Sequence, residues 1–350
     1  MAGQKHRLRP RTPGQAIIEN QQDQRNDMLR IGVDLGGSKI EVVVLGQDDE
    51  TLLRQRVATP QGDYGATLAA VAGLVAAAEA KVMSLRACAR DGIHPDGAGS
   101  LCVPGIPLRG QVTASSVGVG IPGAESPDSG LIKNANSTCL IGKPLKRDLE
   151  VALQREVRIA NDANCFALSE AVDGAGAGAR TVFGVILGTG VGGGIVVDGK
   201  LLAGANAIAG EWGHNPMPGE HHKEVCYCGR RGCIELYLSG TGLASDHRRV
   251  ASADLSAQAI AAGANAGDAA CDATLQRYEA RLARALALVI NILDPDVIVL
   301  GGGLSNIDRL YENVPRLWGE HVFSDQVSTR LLKHRHGDSS GVRGAAWLWP

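Results

Sequence analysis

The sequence predicts an α/β protein made of two similar halves. Three observations carry this. Strand-length apolar runs alternate with helix-length segments along the chain. Three of those runs end in glycine clusters, at Gly36-Gly37, Gly188 to Gly194 and Gly301 to Gly303. One device, strand, glycine turn, strand, occurs twice, at Leu29 to Leu45 and at Phe183 to Gly199. Its repetition points to a duplicated architecture in which a loop from each half faces one ligand. Strand–helix alternation of this kind buries sheets under helices.

The elements follow in order. "IGVDLGG" and "KIEVVVLG" read as two strands around a turn. Ala66 to Ala80 reads as a helix, and Val117 to Ile121 as a short strand stopped by Pro122-Gly123. Lys146 to Arg155 is helical, and "VRIANDAN" is a strand running into a polar turn. Asn164 to Val172 is helical again. Phe183 to Gly199 repeats the opening device, with Asp198-Gly199 suited to a type I′ hairpin. Tyr278, Leu282, Leu286, Val289 and Leu293 recur at helical spacing, and Asp294-Pro295 stops that helix. "DVIVLGGG" is a buried strand ending in glycine. Residues 83–116 break the pattern: rich in Gly, Pro and Ser and without periodicity, they read as a flexible insertion.

Bulk composition limits the function. The chain has 350 residues, enough for two domains, and a formal charge of −2. That balance offers no basic stripe for a nucleic acid. Apolar stretches are strand-length or interrupted by charge, so no membrane span is expected. Residues 1–27 are polar, lack the apolar core of a secretion signal, and read as a disordered extension that the fold can dispense with. A cytoplasmic, reducing compartment is the expectation, in which clustered cysteines point to metal or redox chemistry rather than disulfides.

The glycine clusters suit phosphate. In Asp34-Leu35-Gly36-Gly37-Ser38-Lys39, glycines let backbone N–H groups approach phosphate oxygens, Ser38 adds a hydroxyl and Lys39 a cation. Asp34 is placed to hold a water on Mg²⁺. Gly188-Thr189-Gly190-Val191-Gly192-Gly193-Gly194 can cradle a second part of a phosphate chain, and Gly301-Gly302-Gly303 can pass under a base or ribose. Taken singly, each is an ordinary tight turn. Three, each directly after an apolar strand, favour a nucleotide.

"CYCGRRGCIE" gathers three of the eight cysteines. With His214, Cys226, Cys228 and Cys233 make a three-thiolate, one-imidazole set, the composition of a closed structural zinc site. Free thiols and a redox pair are the alternatives. Glu211 and Glu235 bracket the cluster. Asn161-Asp162-Ala163-Asn164 offers another carboxylate after a strand, where α/β folds place their sites; alone, "NDAN" reads as a helix cap.

Together, "GVDLGGSK", "ANDANCFALSEA", "LGTGVGGGI", "GEWGHNP", "CYCGRRGCIE" and "DPDVIVLGGGLS" resemble the ROK family (repressor, open reading frame, kinase) of sugar kinases and regulators. "KNANSTCLIGKPL" and the ending "HGDSSGVRGAAWLW" are similar to bacterial fructokinases of the manno(fructo)kinase type, although Cys139 stands where those commonly carry tryptophan. The resemblance covers Met28 to Pro350 apart from the insertion. It implies an actin-like ATPase (ribonuclease H-like) fold, two α/β domains with a cleft between them. The small domain is expected at 28–148, completed by a C-terminal helix at about 337–350. The large domain is expected at 149–336, with the zinc segment at 211–235. The resemblance makes Asp162 the general base and gives Asn136, Asn161, Glu211, His214 and Glu235 contacts to sugar hydroxyls, His214 through the ring nitrogen that does not face the metal. ATP is expected against Gly32, Asp34, Gly36, Gly37, Ser38, Lys39, Gly188, Thr189, Gly190, Gly192, Gly193, Gly194, Gly301, Gly302 and Gly303, with Mg²⁺. It further implies a homodimer. The activity expected is conversion of D-fructose to fructose 6-phosphate, with N-acetylglucosamine, mannose or glucose as the alternative acceptor. A sugar-responsive repressor is disfavoured, because the polar residues before the first strand do not make a helix-turn-helix.

Overall fold

The computed structural model describes residues 29–91, 115–135, 137–221 and 224–349. In chain order the first half has β1 (Leu29–Leu35), β2 (Lys39–Leu45), β3 (Thr51–Ala58), α1 (Tyr64–Asp91), β4 (Ser115–Ile121), the short β5 (Ala124–Glu125) and β6 (Ile132–Lys133), α2 (Leu145–Leu153) and β7 (Val157–Asn161). Then come α3 (Asp162–Val172), β8 (Thr181–Leu187), β9 (Val191–Val197), β10 (Lys200–Leu201), α4 (Glu235–Leu238), α5 (Gly240–Ala251), α6 (Ala257–Asn265) and α7 (Ala269–Leu293). β11 (Val297–Gly301), α8 (Leu310–Trp318), β12 (Arg330–Lys333) and α9 (Ser340–Ala346) complete the second half.

The duplication is real and extends to topology. One sheet has the order β3-β2-β1-β4-β7 and the other β10-β9-β8-β11-β12. In both, the first three strands form an antiparallel meander and the last two run parallel to the first. The apolar runs are the reason. β1, β4, β8 and β11 are buried along nearly their whole length, as central strands covered on both faces must be. At the end of β9 the predicted hairpin is present: Asp198 and Gly199 both have positive φ, 49° and 71°, the requirement of a type I′ turn.

Each half makes its own core. Val71, Leu74, Val75, Ala78 and Val82 of α1 pack on the first sheet with Leu145 and Leu149 of α2. α1 is apolar enough over Tyr64–Leu85 to cross a membrane by length and composition, but these buried residues bind it to the sheet. In the second half, Tyr278, Leu282 and Leu286 of α7 lie in the core with Leu300 and Val314. The Tyr278 hydroxyl donates to the Leu238 carbonyl at 2.8 Å.

Two helices change sides. α3 follows the last strand of the first sheet yet packs on the second: Phe166, Ala167 and Ala171 share a core with Val182, Val196, Val297 and Val299. α9 follows the second sheet yet packs on the first, placing Val342 and Ala346 against Val43 and Leu45. The two helices cross where a side chain on Gly344 would lie 1.6 Å from the Cys165 carbonyl oxygen.

Three expectations change. The domain boundary falls at Asn161/Asp162 rather than at 148/149, because β7 pairs in parallel with β4 and belongs to the first sheet. The unpatterned segment is shorter than expected: residues 83–91 continue α1, and 115–116 already belong to β4. The expectations for 1–27 and for most of the insertion lie outside the described residues. Several glycines predicted at phosphate serve packing instead. A Cβ on Gly32, inside β1, would meet the Val342 carbonyl oxygen of α9 at 2.0 Å. One on Gly301 would enter the Phe166 ring at 2.4 Å. Gly192, Gly193 and Gly194 lie inside β9 and admit, in turn, Ala163, the Gly210 and Trp212 segment, and the backbone of Ala163.

Candidate active site

A cleft of about 980 Å³ separates the two sheets. From the first half it is lined by Asp34, Gly36, Gly37, Ser38, Thr59 to Gly62 and Ser137 to Leu140. From the second it is lined by Ile186, Gly302, Gly303, Asn306, His334, Gly337 and Gly341. Asp162 and Phe166 form its floor. Thr59 to Gly62, Asn306 and His334 lie outside the sequence motifs, and Gly337 and Gly341 entered only with the ending "HGDSSGVRGAAWLW", without a site role. They follow strands in the same way as the marked loops, which is the one signal that could have found them.

The first glycine turn is closed by the Gly36 N–H donating to the Lys39 carbonyl at 3.0 Å, and is tied to β3 by the Thr59 hydroxyl donating to the Gly36 carbonyl at 2.7 Å. Gly37 and Ser38 are exposed at its tip. Asp34 ends β1 beneath that turn. Burial pushes its carboxyl up to about 6, reinforced by the negative charges of Asp162 and Glu41 and opposed by Lys39 and Arg56.

Asp162 opens α3 at the carboxyl end of β7. Its neighbour Asn161 is the cap: Asn161 Oδ1 accepts from the Ala163 N–H at 2.9 Å, and Nδ2 donates to the Gly123 carbonyl at 3.1 Å. Both functional ends of Asn161 thus serve the local fold and aim Asp162. Asp162 is open to solvent through the cleft but enclosed by protein elsewhere. Burial raises its proton affinity, while hydrogen bonds from the helix start and Asn161 pull it down in part. Asn136 lies outside the described residues.

The second glycine turn faces a different wall. The Gly188 N–H donates to Gly190, and the Gly188 carbonyl accepts from Gly240 at the start of α5. Thr189 is exposed at the tip. Glu235 Oε2 accepts from the Val191 N–H at 3.0 Å and occupies the space a side chain on Gly190 would need. Glu235 therefore joins this loop to the cysteine segment.

Glu211 and His214 sit on a segment pinned to β9. Trp212 is buried and its indole N–H donates to the Gly192 carbonyl at 3.1 Å. Glycine at 213 lets the segment lie against the Val191 carbonyl. Burial raises the Glu211 carboxyl; the His214 ring opposes this, and Asp162 and Glu235 add to it. Glu211 therefore lies within reach of the charges of both Asp162 and Glu235.

The four proposed metal ligands converge. The donor atoms of His214, Cys226, Cys228 and Cys233 all lie within 4.8 Å of one another. Cys228 and Cys233 sulfurs are 3.6 Å apart, and His214 Nδ1 faces Cys226 Sγ at 3.8 Å. Gly229 and Gly232, with φ of 84° and 66°, make the turns that fold the segment back. Tetrahedral zinc at about 2.3 Å from each sulfur and about 2.0 Å from nitrogen requires donors spaced on this scale. The other ring nitrogen, His214 Nε2, meets the Tyr227 hydroxyl at 3.1 Å rather than open space.

The sequence profile of the ROK family matches residues 30–89 and 108–350. The chain belongs to the ROK family. It is 38% identical over 325 residues to an N-acetyl-D-glucosamine kinase of Vibrio cholerae, covering 91% of this chain and 98% of the relative. A kinase of the same description from Erwinia tasmaniensis is 39% identical, with 91% and 98% covered. Among solved structures, the ROK hexokinase of Thermus thermophilus superposes with a TM-score of 0.75 at 27% identity, covering 91% and 97%. The ROK glucokinase of Streptomyces griseus, solved with glucose and AMPPNP, gives 0.70 at 26%, covering 91% and 98%. The ROK fold here is the duplicated actin-like ATPase fold, and its kinase relatives support ATP-dependent phosphorylation of a sugar.

Proposed function

We propose that this ROK kinase transfers the γ-phosphoryl group of ATP to N-acetyl-D-glucosamine, with Asp162 as general base. The sugar assignment is carried by the N-acetyl-D-glucosamine kinases that align with the chain over nearly their whole length. These relatives do not support fructose, the acceptor expected from the motif similarity.

Asp162 takes the proton from the attacking sugar hydroxyl. Its raised proton affinity makes it a stronger base than an ordinary carboxylate. Asn161 fixes its direction. The Gly36–Ser38 turn lines the cleft where a phosphate chain would lie, so stabilisation comes mainly from positioning and electrostatics. Asp34 would hold Mg²⁺ through water. His214, Cys226, Cys228 and Cys233 would hold zinc, which supplies folding energy to the segment carrying Glu211 and Glu235.

A coupled ADP-release assay over N-acetylglucosamine, fructose, mannose and glucose tests the proposal. The highest kcat/KM is expected for N-acetylglucosamine, since a site built for an amide penalises sugars that leave its partners unpaired. A higher kcat/KM for fructose overturns the sugar and keeps the kinase. No turnover with any sugar overturns both.

A further inference from the structure

Glu170 is a fully buried carboxylate that the chemistry above does not use. It lies near the end of α3, the helix that begins with Asp162. It forms no ion pair among the described residues. Its partners are hydrogen-bond donors: Oε2 accepts from the N–H of Ala175 at 2.9 Å and of Arg335 at 3.0 Å. Oε1 accepts from the Ser340 hydroxyl at 2.8 Å and, at 3.4 Å, from the His336 N–H. Gly174 leaves the space: a Cβ there would be 2.3 Å from Oε2.

Three of these four donors belong to one segment, Arg335 to Ser340. The flanks and middle of that segment form a wall of the cleft, through His334, Gly337 and Gly341. Gly341 sits beside the Asp34 carboxylate, 3.9 Å from its ideal Cβ position. Asp173, also at the end of α3, seconds the attachment: it accepts from His336 Nε2 at 3.0 Å and pairs with the Arg343 guanidinium. Arg343 in turn donates to Thr51 Oγ1 at 3.0 Å and to the Asp49 carbonyl at 3.1 Å. One end of α3 therefore holds a cleft wall, and the other presents the base.

We propose that Glu170 is a positioning residue for the nucleotide: it fastens the His334 to Gly341 wall to the helix that carries Asp162, so wall and base move together. The proposal rests on the ATP-dependent kinase reading. Its logic is one of hydrogen bonds rather than charge. A glutamine can place its carbonyl oxygen at Oε2, accepting from Ala175 and Arg335, and its amide at Oε1, donating to Ser340 Oγ, so that only the long His336 N–H contact at 3.4 Å loses its acceptor. Alanine leaves buried N–H groups without partners.

The test compares Glu170→Ala, Glu170→Gln and the milder Ser340→Ala. Affinity for AMPPNP and for the sugar is measured separately by calorimetry, and amide hydrogen exchange is followed over residues 334–341. Glu170→Ala should weaken AMPPNP by about tenfold, the scale of one or two lost hydrogen bonds. Sugar affinity should stay within about twofold, and exchange at Arg335 and His336 should accelerate. Glu170→Gln should recover most of both losses, and Ser340→Ala should show a weaker form of them. AMPPNP affinity unchanged in Glu170→Ala despite faster exchange overturns the proposal, as does an equal loss for both ligands. If Glu170→Ala does not fold, Ser340→Ala decides: unchanged AMPPNP affinity and exchange overturns it. A wild type that binds no AMPPNP would indict the kinase reading instead.

Discussion

The charge of Asp162 raises the cost of ionising Asp34, and both stand on one cleft. Asp162→Asn keeps the shape and the helix start but cannot accept a proton. Turnover should fall by about 10² to 10⁴, with sugar affinity by calorimetry little changed. For Asp34, the folded chain binds the proton more tightly than the unfolded one. Stability therefore falls as pH rises from the ordinary 3.8 to about 6, and the loss is complete above that. Asp34→Asn should raise Tm at pH 7.5, match wild type below pH 4, and lower turnover at every pH. A Tm that drops at pH 7.5 would contradict this account. How far such residues could be read from sequence depends on how local their partners are. The cysteine cluster stood out because its three thiols lie within eight positions, whereas Asp162 was marked as a base only through the family resemblance. Glu170 was not legible, since its donor Arg335 is 165 positions away. Gly32 was misread for the same reason: only the fold reveals that α9 lies on it.

At the scale of elements, the cysteine segment should depend on the zinc proposed for it. Cys228→Ser removes one of the four proposed ligands, and should loosen residues 211–235 and lower zinc content from about one per chain on that ligand count. Folded, active wild-type protein without zinc, by metal analysis, would refute the assignment. The α3–α9 crossing is equally exposed to a single atom. Gly344→Ala must push two helix backbones apart at a contact of 1.6 Å. A loss of about 3 kcal/mol or more is expected in urea melts, beyond ordinary overpacking of a side chain. The strands and α7 were legible because their apolar periodicity is long. The end of α1 was not: Met83, Ser84 and Leu85, directly after Val82, are exposed, so the apolar stripe that marks the helix stops there. The boundary at Asn161 was missed because strand pairing, not composition, assigns β7 to the first sheet.

For the whole molecule, the cleft lies between two separately cored halves. Binding sugar and AMPPNP together should draw the halves in, and small-angle scattering should record a smaller radius of gyration than with either ligand alone. No change with both bound would argue that the halves are rigidly joined. The repeated strand order was predicted as a repeated loop; the exchange of α3 and α9 was invisible, because neither helix's sequence names the sheet it will cover. That exchange is what two copies of a single half would do by trading their final helices, a domain swap here sealed within one chain. Each sheet is finished by the other half's tail. Cut after α3, between Val172 and Thr181, each fragment would carry the helix that covers the other's sheet, so the two pieces should regain activity when produced together and not when refolded apart.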